Sequence, residues 1–197
     1  MGNLRSVEKG FAKVGVHAVV TADPQAVSHA QAVVLPGVGA FGQAMENLRT
    51  SKLLDPVEDA INADKPFLGI CLGLELLFTE SEEFGPVAGM GVIPGKVVRF
   101  AVQPDLKIPH MGWSAVEITQ PAPVFDGVPN GSMFYFVHSY YVAPEQAEAV
   151  AGVTTHGMRF AAAVWKENLF ACQFHPEKSG AVGLRMLKNF GHLAGNA

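Results

Sequence analysis

Cysteine is scarce in this sequence: Cys71 and Cys172 are the two in 197 residues. Two cysteines make no disulfide framework. With no signal peptide in view, the expectation is a protein of a reducing cytoplasm. Long apolar runs are missing too. None reaches about 18 residues, so no membrane span is expected. Neither sign of charge dominates, since 14 basic and 18 acidic residues leave a net charge of −4. Without a basic stripe, a nucleic-acid surface is not expected. No group of His, Cys, Asp and Glu has metal-ligand spacing, so neither a metal nor a cofactor is expected. Repeats, linkers and low-complexity segments are absent, and residues 1–197 read as one domain.

Apolar residues are plentiful. They make up 49% of the chain against 16% charged, which suits a packed core and not a disordered chain. Leu4, Val7, Phe11 and Val14 recur at helical spacing. "VHAVVT" (16–21) and "AQAVVLPG" (30–37) read as strands, with a turn or short helix between them. Residues 41–65 read as helical, with Pro56 opening a second helix behind Asp55 as its cap. "PFLGI" (66–70) reads as a short buried strand, and "CLGLELLFTESEE" (71–83) as a helix. Residues 84–96, rich in Gly and Pro, read as a loop. Strand patterns follow in "KVVRF", "SAVEIT", "SMFYFVHSYYV", "AVAGVTTH", "FAAAVWK" and "NLFACQFH". The stretch "GAVGLRMLKNFGHLA" closes the chain as an amphipathic helix. This order predicts an α/β fold with a mostly parallel central sheet, flanking helices and an antiparallel extension. Such folds usually open on a hydrophobic strand, and here the first strand is missing from its place.

Three stretches carry chemistry. In "GICLG" (69–73) a strand runs into a helix through a turn that holds Gly69, Cys71 and Gly73. This is the pattern of a nucleophile elbow, with cysteine as nucleophile. The glycines are expected to permit a strained turn, and the helix N-terminus to lower the thiol pKa. The bland reading is a buried structural cysteine. In "CQFHPEKS" (172–179) a strand ends on His175, with Glu177 two residues on. On an extended segment that spacing puts both side chains on one side. A base oriented by a carboxylate completes a Cys71-His175-Glu177 triad. Alone, this stretch reads as a surface turn; the elbow gives it its meaning. In "VVLPGVGAFG" (33–42) a Gly-rich loop follows a strand and aims backbone N–H groups into a pocket. Its match to a dinucleotide fingerprint is weak, because no acidic residue follows at ribose-binding distance. The oxyanion reading is preferred.

Other candidates are weaker. His17, His29, His156 and His192 look isolated, and Cys172 sits on an apolar strand as a core residue. Phe134 and Phe136 read as core positions in "FYFVHSYY" (134–141), while His138, Tyr140 and Tyr141 are placed to line a site or a contact surface. "PHMGW" (109–113) sets Trp113 in a loop suited to a partner surface.

Together these stretches resemble the class I (triad-type) glutamine amidotransferases, and within them the glutaminase subunits of imidazole glycerol phosphate synthase in histidine biosynthesis. The matching segments are "GNLRSVEK", "LPGVGAFGQAMENLR", "GICLGLELLF", "IPHMGW", "FYFVHSYY" and "QFHPEKSG", in the family's order. The resemblance implies that Cys71 attacks the amide of glutamine, that His175 moves the protons and that Glu177 orients His175. It implies oxyanion or substrate contacts at Gly37, Val38, Gly39, Leu72, Glu75, Ser139 and Tyr140. It implies a cyclase partner with a (β/α)₈ barrel, which Asn3, Trp113, Tyr135 and Lys178 would face. That partner would receive the ammonia and form imidazole glycerol phosphate and aminoimidazole carboxamide ribotide.

Two departures stand out. Glu75 occupies a position where the family carries glutamine, and an ionised Glu accepts hydrogen bonds without donating them. The other is the missing first strand, read here as a start placed too late in the sequence. The competing functions are a stand-alone cysteine hydrolase of γ-glutamyl amides and a non-catalytic docking subunit.

Overall fold

The computed structural model describes residues 4–102, 104 and 106–195. Its centre is set by "FLGIC". Five buried residues in a row are the signature of a strand covered on both faces, and Phe67–Cys71 forms such a strand, β2. On one side β2 pairs in parallel with β1 (Val33–Gly37), on the other with β11 (Leu169–Cys172). These three strands are the parallel heart of the sheet.

The antiparallel extension grows from β11. The sheet continues through β10 (Met158–Lys166), β8 (Tyr140–Pro144), β5 (Ile93–Arg99) and β3 (Phe78–Ser81) to the two-residue β4 (Val87–Ala88). An arm of β6 (His110–Ile118) and β7 (Ser132–His138) joins it through β9 (Val150–His156). Along β7 every second residue faces inward, with Phe134, Phe136 and His138 buried. This is the α/β architecture expected from the sequence.

Helices cover both faces. On one side lie α1 (Leu4–Lys13) and α6 (Gly180–Leu193), with Phe11 against Phe190 and both packed in the cluster that holds Leu68 and Ile70. A Cβ on Gly10 would lie 2.8 Å from a Leu187 methyl, so the glycine sets how closely α1 approaches α6. On the other side, Phe41, Met45 and Leu48 of α3 (Phe41–Thr50) and Val57 of α4 (Leu54–Asn62) share a cluster with Phe67. The short α2 (Pro24–His29) is capped by Asp23, whose carboxylate accepts from the Gln25 N–H.

Five local expectations are corrected. Trp113, expected in a loop, lies within β6, and the loop expected over 84–96 contains β4 and the start of β5. Residues 16–21 form no strand, and Val19 and Val20 are exposed. A strand needs a ladder partner, and among the described residues β1 pairs on its β2 side alone. The helix expected over 71–83 ends at Glu75 as α5 (Leu72–Glu75), and the chain turns into β3. Phe78, fully buried, pairs there with Ile93, so tertiary pairing overrides local helix propensity. Helix α4 starts at Leu54, which puts Asp55 and Pro56 in its first turn; Asp55 is therefore not the cap.

Candidate active site

Parallel strands that end side by side deliver their following residues to one place, and ligands collect beyond such ends. Here the carboxyl ends of β1, β2 and β11 border a cavity of about 510 Å³. Val38, Gly39, Cys71, Leu72, Glu75 and His175 line it. Ser139 and Tyr140, from the junction of β7 and β8, close another wall. A second cavity, of about 420 Å³, lies at the opposite ends of these strands between Lys65, Glu58 and Lys166, and no Cys or His lines it.

Cys71 sits on a sharp elbow between β2 and α5. Its φ of 57° places a non-glycine residue in the left-handed region, an uncommon and costly conformation. The neighbouring glycines have a role other than the one expected. Neither takes a positive φ; each instead permits close packing of the elbow. A Cβ on Gly73 would fall 1.8 Å from the Leu35 carbonyl oxygen. One on Gly69 would fall 2.9 Å from the Gly73 oxygen and 2.8 Å from the Ala171 Cβ. The strain rests on the cysteine itself.

The thiol also departs from expectation. Burial pushes the Cys71 pKa far above its ordinary value, and the nearby Glu75 pushes it further. The Leu72 N–H and the Gln173 amide act in the other direction without compensating. Helix α5 has only four residues, too short to set up the dipole that would depress it. The resting sulfur is a protonated thiol.

His175 follows β11 at the neighbouring position. Its Nδ1 lies 2.8 Å from Glu177 Oε1, and both side chains are fully buried. A carboxylate only accepts, so Nδ1 carries the proton and Nε2 is the basic nitrogen. The contact forms across a 3-10 turn, Pro176–Lys178, not along the extended segment expected from the spacing. Ser179 locks this turn. Its hydroxyl donates to the His175 carbonyl at 2.6 Å and accepts from the Tyr135 N–H at 3.0 Å.

The Gly-rich loop begins where Gly37 pairs with Cys71 across β1 and β2. A Cβ on Gly37 would press on Leu72 at 2.9 Å, and Gly39 has a φ of 101°. At the loop's end, Glu83 accepts from the first N–H of α3, that of Phe41.

Two groups escaped the sequence reading. Gln173, fully buried, donates from Nε2 to Glu75 Oε1 at 2.9 Å and reaches Cys71 Sγ at 4.0 Å. Its signal was the two-residue spacing from His175. His156, taken as isolated, stacks on His110 with ring centroids 4.2 Å apart. His110 in turn meets His138 at 3.0 Å and Ser114 at 2.8 Å, and His138 donates to the Tyr140 carbonyl at 2.7 Å. Burial lowers the pKa of His110 to about 4 and that of His138 to about 3, so both are neutral near pH 7.

Beside the cavity lies an aromatic surface. Trp113 and Tyr135 face each other across β6 and β7 with ring centroids 6.0 Å apart, and the Lys178 ammonium stands 5.8 Å over the Tyr135 ring. Trp113 is half exposed, as are Met111 and Met133. Asn3 lies outside the described residues. Cys172 is fully buried. Among the described residues no helix is long and apolar enough to cross a membrane.

Residues 3–193 match the family described as glutamine amidotransferase class-I. A protein of Syntrophotalea carbinolica named imidazole glycerol phosphate synthase subunit HisH is 55% identical over 198 residues, covering 98% of this chain and 96% of its own. The protein of that name from Geobacter sulfurreducens is 52% identical, covering 98% and 95%. That of Moorella thermoacetica is 49% identical, covering 100% and 94%. Among solved structures, a glutamine amidotransferase aligns with a TM-score of 0.74 at 18% identity, over 97% of this chain and 93% of that one. The glutaminase domain of a Trypanosoma brucei CTPS, with bound acivicin, aligns with a TM-score of 0.63 at 15% identity, over 98% and 86%.

Proposed function

The chain belongs to the class-I glutamine amidotransferase family, and from that premise we propose that it is the glutaminase subunit of an imidazole glycerol phosphate synthase, with Cys71, His175 and Glu177 as its catalytic triad. The observation that carries the site assignment is the buried His175–Glu177 contact of 2.8 Å bordering the cavity that Cys71 lines.

Glutamine enters with its side-chain amide over Cys71. His175 Nε2 takes the thiol proton as sulfur attacks the amide carbon. The carbonyl oxygen becomes an oxyanion, met by backbone N–H groups of the 37–39 loop and of Leu72. Each such donor is worth on the order of 100-fold in rate. His175 then returns its proton to the departing nitrogen. The C–N bond breaks, ammonia leaves and a glutamyl thioester remains. Water attacks the thioester and gives its proton to His175. The C–S bond breaks, glutamate is released and the sulfur recovers its proton. Glu177 keeps one tautomer throughout and balances the imidazolium that forms twice.

The raised thiol pKa supports a gated enzyme, since a protonated, buried nucleophile wastes little glutamine at rest. The partner is a cyclase subunit with a (β/α)₈ barrel, seated on the surface of Trp113, Tyr135 and Lys178. It takes up the ammonia directly.

An electrophilic glutamine analogue tests this, with intact mass as the readout. Fast labelling at Cys71 only with the cyclase and its nucleotide substrate supports the proposal, as does loss of turnover in Cys71→Ser with retention in Cys172→Ser. Equal labelling without the cyclase would instead indicate a stand-alone hydrolase. No labelling in any condition would indicate a docking subunit.

A further inference from the structure

We infer that Glu75 works as an uncharged carboxylic acid held by Gln173, and that loss of its proton shuts down the thiol of Cys71 beside it. The inference rests on the glutaminase reading of the same site and adds a proton-controlled residue to it.

The geometry is specific. Glu75 and Cys71 are four residues apart on one short turn, and both line the cavity. Glu75 is 6% exposed. Its one hydrogen-bond donor among the described residues is the neutral amide of Gln173, at 2.9 Å to Oε1. The same Nε2 lies 4.0 Å from Cys71 Sγ, so Gln173 spans the two acidic groups. No ion pair to Glu75 occurs among the described residues.

Among the described residues, no group on the surrounding elements pairs a positive charge with Glu75. Glu83, from the loop after β3, adds a like charge. From β8 comes Tyr140, whose phenol pKa is itself raised. His138 of β7 is held neutral. His175, after β11, faces Glu177. Two cations reach the cavity wall, Arg99 and Lys178. The first ends β5, and the second stands over the Tyr135 ring; neither pairs with Glu75. A buried carboxyl with one donor and no paired cation tolerates its own negative charge poorly, and a second beside it much worse. Burial accordingly pushes the Glu75 pKa up to about 8.

The consequence is a competition. While Glu75 keeps its proton, it presents the same pattern as a glutamine side chain, one acceptor and one donor, and the cavity is free to hold the charge of a thiolate or an oxyanion. Once Glu75 ionises, that charge is opposed. The chain therefore tolerates an acid at this position only while the acid is neutral.

The test is the rate of Cys71 alkylation by iodoacetamide in the full-length chain, read from the mass of the Cys71 peptide between pH 6.5 and 9.5. In the wild type, log rate should rise with pH and flatten above about pH 8. In Glu75→Gln it should keep rising, so that the variant-to-wild-type ratio grows about tenfold over this range. Gln173→Met, which removes the donor that steadies the carboxylate, should move the bend to higher pH, which a structural role for Glu75 would not do. Parallel lines for wild type and Glu75→Gln would overturn the inference. The electrophilic glutamine analogue, run on the same samples with the cyclase present, separates the two layers. Labelling with parallel alkylation lines overturns the inference alone, whereas no labelling at any pH overturns the glutaminase reading and the inference with it.

Discussion

Gly37 and Cys71 stand opposite each other in the last register position of the parallel pair β1–β2. One residue opens the Gly-rich loop and the other is the proposed nucleophile. The chain needs no long-range device to bring the Gly-rich loop to the thiol, because two neighbouring strands ending together do so.

One glycine of the elbow and one of the Gly-rich loop should separate close packing from backbone strain. Gly73→Ala drives a methyl into the Leu35 carbonyl and should cost about 3 kcal/mol or more, or prevent folding. Gly39→Ala meets nothing within 4 Å but keeps an unfavourable φ, and should cost about 1 kcal/mol. Chemical denaturation of the two variants measures the difference. A Gly73→Ala chain as stable as wild type would contradict the elbow described here.

Glu177→Gln should lower glutamine turnover by about 100-fold with little change in KM, since the lost contact acts on His175 and not on the substrate. Steady-state kinetics in the presence of the cyclase would show it. An unchanged kcat would remove Glu177 from the triad.

The contribution of Glu75 to stability should fall as pH rises from about 4.5 to 8. Over that window folded Glu75 retains a proton that the unfolded chain has released, because its pKa is raised from 4.5 to about 8. Glu75→Gln should lift the thermal midpoint by about 5 °C or more at pH 8.5 relative to its effect at pH 5. Calorimetry across this range checks the sign. An effect that is flat with pH would show that Glu75 ionises freely in the fold.

The histidine cluster acts in the opposite direction. His110 and His138 have pKa values lowered from 6.5 to about 4 and about 3. Between those values and 6.5 the unfolded chain binds protons that the folded chain refuses, so stability is lost as pH falls below 6.5. In the Glu75→Gln background, which removes the opposing contribution, urea midpoints at pH 7 and pH 5 should differ clearly. They should differ less once His138→Gln is added, even though that variant starts out less stable.

Trp113→Ala should weaken cyclase binding by at least about tenfold. Trp113 is half exposed and packs on Tyr135, away from the core clusters, so the thermal midpoint should hardly move. Calorimetric titration with the cyclase provides the measurement. Undiminished affinity would move the interface elsewhere.

Much of this molecule was legible in the sequence. The run "FLGIC" is apolar because the strand is covered on both faces, and such a run shows without coordinates. The proposed triad residues were legible because the chemistry demands particular residue types at turns. Other features were hidden by their dependence on distant partners. Residues 16–21 have the composition of a strand, but a strand exists only in a ladder. Phe78 belongs to β3 because of Ile93, a residue no local pattern connects to it. His156 looked isolated because its neighbours, His110 and His138, lie on other strands. Gln173 was the most recoverable omission: it is a polar residue two positions before His175, just past the end of β11.

The position of β2 has a further consequence. Flanked on both edges and covered on both faces, it is where local opening should be rarest and amide hydrogens should exchange last. Cys71 ends this strand, and His175 follows β11, the strand hydrogen-bonded beside it. The proposed nucleophile and its base are thus anchored in the part of the fold that comes apart only with the whole. On heating, catalysis should not fade ahead of unfolding, and the two should be lost in one cooperative event.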